Sequence, residues 1–108
     1  MKPTLGDLEQ IVLLALLQLG DEAYGVAVHR EIAARTGRDL SLGGIYSTLV
    51  RLEEKGFVST RLGDPTPTRG GRRKKLYAVE PAGREAVRAT MSALRSMSRG
   101  LAPALGMR

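Results

Sequence analysis

The chain has 108 residues, enough for one compact domain with a modest core and too few for an enzyme with an elaborate cleft. It has no Cys and one His, which leaves no disulfide framework and no set of metal ligands at the usual spacing, so neither metal nor cofactor is expected. Against 11 Asp and Glu stand 17 Lys and Arg, a net charge of +6 and a pI near 10.3, a balance that favours a polyanionic partner, nucleic acid first.

The start shows no cationic segment followed by a long apolar one, and the longest apolar stretch, Ile11 to Leu17, is far short of a membrane span. A cytoplasmic protein with no membrane partner is the expectation. Leu8, Ile11, Val12, Ala15, Leu16 and Leu19 recur at helical spacing and predict a largely buried first helix, with Thr4 as its cap, Asp7 three residues on and Gly20 as its stop. Tyr24, Val28 and Ile32 share one face of a second, shorter helix, with Arg30, Glu31 and Arg35 off that face and Gly37 at its end. Ser41 stands where an N-cap belongs, and Leu42, Ile45, Leu49 and Leu52 make a third apolar stripe that stops at Gly56.

From Phe57 to Leu62 apolar and polar residues alternate as in a strand; Gly63, Asp64, Pro65 and Pro67 then forbid regular structure, and Leu76 to Val79 forms a second short strand. Pro81 suits a first helical turn, so a last helix is expected to about Arg99, where Gly100 and Pro103 break it and the final residues fray.

Residues 68–77 read Thr-Arg-Gly-Gly-Arg-Arg-Lys-Lys-Leu-Tyr, and their five cations nearly equal the net charge of the whole chain. Taken alone, such a run is equally a solvated loop. Lying on a hairpin one strand after a Ser-capped helix, it becomes a candidate phosphate-binding wing, with Arg69, Arg72, Arg73 and Lys74 toward phosphate and Lys75 at the strand base. In projection, Gly43, Gly44, Ser47 and Arg51 lie opposite the apolar stripe of the third helix. This small, polar face suits close approach to a major groove, with Ser47 and Arg51 as candidate base readers. Tyr46 lies on the flank, its hydroxyl within reach of phosphate and its ring on the domain. The expected fold is mainly α with a small β-hairpin (α+β), a winged helix-turn-helix over residues 1–80 followed by a C-terminal dimerisation helix and frayed tail over 81–108.

The stretch Ser41-Leu42-Gly43-Gly44-Ile45-Tyr46, then Leu49, Leu52, Glu53 and Gly56, then Pro65, Arg69-Gly70-Gly71-Arg72-Arg73-Lys74 and Leu76-Tyr77, resembles the PadR transcriptional regulators; Leu13 to Gly20 and Ala23-Tyr24-Gly25 fit the same pattern. The resemblance covers about residues 5 to 95. It implies a dimeric repressor that holds operator DNA through the third helix and the wing, and for many members release by a small-molecule effector. Carried over, recognition-helix roles fall on Ser41, Gly43, Tyr46 and Arg51, and wing roles on Arg69, Arg72, Arg73 and Lys74. Two departures stand out: Glu80 where the family commonly has Thr or Ser before the last helix, and the absence of the Trp that lines a drug-binding pore between subunits in some small members.

On the last helix Val87, Met91, Leu94 and Leu101 form an apolar stripe with Ala86, Ala93 and Met97 beside it. Val87, Met91, Leu94 and Met97 are the candidate dimerisation residues, because three short helices and a hairpin leave little to cover them. The other outcome is a helix folded back on its own domain. His29, on the second helix, is most simply a surface residue, with contact to the DNA backbone as the sharper reading. The leading function is sequence-specific DNA binding by a homodimer. The alternative is a winged-helix protein-interaction module whose basic hairpin docks on an acidic partner.

Overall fold

A computed structural model of the chain describes residues 5–63 and 73–107. Four helices, α1 (Asp7–Leu19), α2 (Gly25–Thr36), α3 (Leu42–Glu54) and α4 (Pro81–Ser98), surround a hairpin of β1 (Val58–Leu62) and β2 (Lys75–Val79) placed between α3 and α4. The strands are antiparallel, paired from Val58 with Val79 at the base to Leu62 with Lys75 toward the tip.

The centre is α1, which packs against α2, α3, β2 and α4. Val12, Leu13, Ala15 and Leu16 are buried, so this helix is apolar around most of its circumference, as a central helix must be. Its N-cap is Gly6 rather than Thr4, which lies outside the described residues; Glu9 Oε1 accepts the Gly6 N–H at 3.2 Å and so meets one of the unpaired donors of the first turn. A short 3₁₀ turn, Gly20–Glu22, leads into α2, whose Val28 and Ile32 face the core. The end of α2 is Gly37, at a φ of 73° that favours glycine, its N–H bonded to Ala33 O at 2.9 Å.

Ser41 caps α3 as expected, its Oγ accepting the Gly44 N–H at 3.0 Å. The buried row of α3 is Ile45, Thr48, Leu49 and Leu52, all fully covered, whereas Leu42 is 39% exposed. The expected stripe is therefore shifted: Thr48 sits three residues after Ile45 and four before Leu52, and closes the row that Leu42 was expected to join. Burying a hydroxyl there is tolerated because Thr48 Oγ1 donates to Gly44 O at 2.8 Å.

Along β1 burial falls from base to tip instead of alternating cleanly, from buried Val58 to exposed Leu62, while β2 buries Tyr77 next to exposed Ala78. Backbone bonds fix the base on both sides: Tyr77 N–H donates to Ala23 O at 2.8 Å, and Glu80 N–H to Phe57 O at 2.9 Å. Gly83 on α4 lets the helix lie directly on this base, since a Cβ there would come under 3.0 Å from the Phe57 carbonyl oxygen.

The first half of α4 folds onto its own domain and the second half does not. Gly83, Ala86, Val87 and Thr90 are buried; Thr90 Oγ1 accepts the Leu5 N–H, and Gln10 Nε2 donates to Val87 O, each at 3.2 Å. Every residue from Met91 to Gly100 is exposed. Glu80 occupies the N-cap of α4 without a side-chain capping bond, in keeping with its poor fit to that position. Beyond the helix, where fraying is expected, residues 101–107 wind into turns closed by Leu105 N–H to Leu101 O at 3.0 Å and Met107 N–H to Ala102 O at 2.8 Å. None of the described helices is long and apolar enough to cross a membrane.

Candidate nucleic-acid interface

The face of α3 turned away from the core carries Gly43, Ser47, Val50 and Glu54, spaced four, three and four residues apart and all exposed. Gly43 has open space where a side chain would stand, and Val50 is 50% exposed. Gly44 belongs instead to the cap: its N–H is taken by Ser41, and a Cβ on it would meet Ser41 Oγ at 2.9 Å.

Arg51, expected on the outer face, leaves α3 on its flank. Its Nη2 donates to Thr48 Oγ1 at 3.2 Å, and its charge is felt by Glu9 on α1. The centre of the face is Val50, a position the apolar stripe does not single out and that only the four-three-four spacing from Gly43 marks as outward, next to the more conspicuous cation at Arg51. At the far end of α3, Lys55 Nζ meets Glu9 Oε2 at 2.6 Å. Burial pushes the Glu9 carboxyl up, but the Lys55 ammonium, the Gly6 N–H and the field of Arg51 outweigh it and hold the group below its ordinary 4.5.

Tyr46 is placed as expected, 40% exposed on the flank, with its ring on the domain. The surface it rests on is Gly25 at the start of α2: a Cβ there would come under 3.0 Å from Cε1, Cζ and Oη of Tyr46. The other two tyrosines meet the wing. Lys74 Nζ lies over the Tyr24 ring, 4.1 Å from its centroid, and Lys75 Nζ over the Tyr77 ring at 5.7 Å. Burial pushes the Tyr77 hydroxyl up, with smaller contributions from nearby Tyr46 and Glu53. Glu53 also joins α3 to the hairpin, accepting from Thr60 Oγ1 at 3.1 Å.

Of the wing cations, Arg73 sits at the hairpin, its Nε donating to Gly63 O at 2.7 Å, beside Lys74. Arg69 and Arg72 lie outside the described residues. His29 stands 3.9 Å from Asp39 in the connection between α2 and α3. Among the described residues no group of three or more His, Cys, Asp and Glu is placed to hold a metal ion. An open helix face, a positive helix N-terminus and cations on the adjoining hairpin form one surface suited to a polyanion with a groove.

The candidate dimerisation residues divide. Met91, Leu94 and Met97 are 42%, 62% and 79% exposed, while Val87 is 5% exposed and belongs to the core of its own domain. Between α1 and α4 runs a groove of about 460 Å³ floored by Leu14, Leu17, Val87 and Met91 and edged by Arg84 and Arg95.

Comparison with known proteins adds the family. The family model described as "Transcriptional regulator PadR-like family" matches residues 13–89. No curated protein matches the chain. Among solved structures, a PadR family transcription regulator from hypervirulent Clostridium difficile R20291 is 22% identical with a TM-score of 0.75, covering 93% of this chain and 99% of that one. A PadR-like transcriptional regulator from Bacillus cereus is 20% identical with a TM-score of 0.72, covering 94% and 93%. A PadR family regulator from Eggerthella lenta is 24% identical with a TM-score of 0.68, covering 92% and 84%.

Proposed function

The chain belongs to the PadR-like family of transcriptional regulators, and on that premise we propose that it is a homodimeric repressor that binds a pseudo-palindromic operator and leaves it when a small-molecule effector binds. The observation that carries the reading is the Ser41-capped α3 with its bare outer face beside a cationic hairpin. Ser41, Gly43, Gly44, Tyr46 and Ser47 bring the first turns of α3 against the groove. Arg51 on the flank and Arg69, Arg72, Arg73 and Lys74 on the wing supply phosphate affinity without sequence choice. Met91, Leu94 and Met97 join two subunits and set the recognition helices about 34 Å apart, one turn of DNA.

The test is in vitro selection from a random duplex library, followed by gel shifts of the enriched sequence. Enrichment of a two-fold symmetric site with half-sites about one turn apart is the expected result. Replacing Arg72 and Arg73 with Ala should weaken enriched and scrambled duplexes alike, because phosphate contacts carry affinity and not sequence. Absence of any shift at low salt would move the basic hairpin to an acidic protein partner.

A further inference from the structure

We infer that Val50 is a specificity-determining residue whose methyl groups pack on the C5-methyl of a thymine in each half-site, so that the operators this protein prefers carry a thymine at that step. The inference rests on the DNA-binding reading above and adds which base the helix asks for.

Guanine is read in the major groove by the fork of Arg or by Lys, adenine by the amide of Asn or Gln, and thymine by apolar contact with its methyl group. The outer row of α3, Gly43, Ser47, Val50 and Glu54, holds no Arg, Lys, Asn or Gln. The nearest guanidinium, that of Arg51, is turned aside to Thr48 Oγ1 and feels Glu9. Two groups on the row can therefore discriminate bases toward the middle of the helix: the Ser47 hydroxyl, which suits several bases, and the Val50 methyls, which suit one. Gly43, with open space around its Cα, lets the helix come close enough for so short a side chain to reach the groove floor. Glu54, one turn beyond Val50, presents a carboxylate that can accept only from cytosine and so does not compete with Val50 for a thymine.

The experiment uses the enriched duplex from the selection, resynthesised with deoxyuridine at one thymine position at a time, which removes a single methyl group and leaves the pairing edge intact. One thymine in each half-site should be sensitive, its replacement weakening binding about four-fold, the value of one buried methyl. Val50→Ser, at a half-exposed position that leaves the fold intact, should bind the thymine and deoxyuridine duplexes equally, while Val50→Ile keeps the difference. An enriched site with no sensitive thymine, or sensitivity that survives Val50→Ser, overturns this inference and leaves the DNA-binding reading standing. Failure of the selection to enrich any sequence overturns both.

Discussion

Gly25 shows how much of the interface depends on one missing side chain. It lies under the Tyr46 ring, and a Cβ there would intrude on Cε1, Cζ and Oη at under 3.0 Å. Gly25→Ala should therefore displace the Tyr46 ring from its flank, at a cost to the fold of no more than about 1 kcal/mol because the ring is part-exposed and can swing aside. In a Tyr46→Ala background the same substitution meets no ring, so its cost should disappear. Chemical denaturation of the two single variants and the double variant reads this directly; additive effects would mean that Tyr46 does not rest on Gly25. Nothing in the periodicity of either helix joins residue 25 to residue 46, since each is one of several glycines or boundary aromatics until the helices cross. The place of Arg51 on the flank of α3 was hidden for a related reason. Adjacent positions differ by only about 100° around a helix, and the bend of the Arg51 side chain toward Thr48 is a packing result that the pattern does not contain.

At the level of elements, starts and stops were the legible part. Ser41, Gly37 and Pro81 act through local chemistry and stand where they were expected, and so do the hairpin strands. What joins the elements was not legible: the bond from Tyr77 to Ala23, Lys74 over Tyr24, and the pair of Glu9 and Lys55 bring together residues far apart in the chain. That last pair ties the start of α1 to the end of α3 and makes acid stability a test of how α3 is anchored. The folded-state carboxyl of Glu9 is held below 4.5, so its contribution is present above the unfolded-state value and lost as pH falls from 4.5 through the lower folded-state value. Glu9→Gln should lower stability at neutral pH and flatten the loss that sets in as pH falls below 4.5, measured by urea unfolding at neutral pH and at a series of acid pH values. An acid limb as steep as that of the parent protein would place the titrating group elsewhere.

The whole molecule spans 54 × 31 × 21 Å, long for its size because the second half of α4 has no support from its own domain. A heptad-like stripe in sequence does not say where a helix leaves the core, which is why Val87 was grouped with Met91, Leu94 and Met97 although it lies on the other side of that boundary. The boundary itself supplies the test of assembly. Leu94→Glu with Met97→Glu changes side chains that are 62% and 79% exposed, so the fold should survive, and on the proposed assembly sedimentation should show a dimer for the parent protein and a monomer for the variant. Val87→Ala should do the reverse, costing about 1–3 kcal/mol of subunit stability by opening a core cavity while leaving the interface side chains in place. With two half-sites no longer linked, operator affinity should drop by about 10²–10⁴, the range by which tethering raises avidity. If each subunit neutralises about three phosphates, the log-log salt slope should fall from about −5 for the dimer to about half that value. A glutamate variant that remained dimeric with an unchanged slope would remove Leu94 and Met97 from the interface, because burying four new carboxylates in an apolar seam carries a heavy desolvation cost.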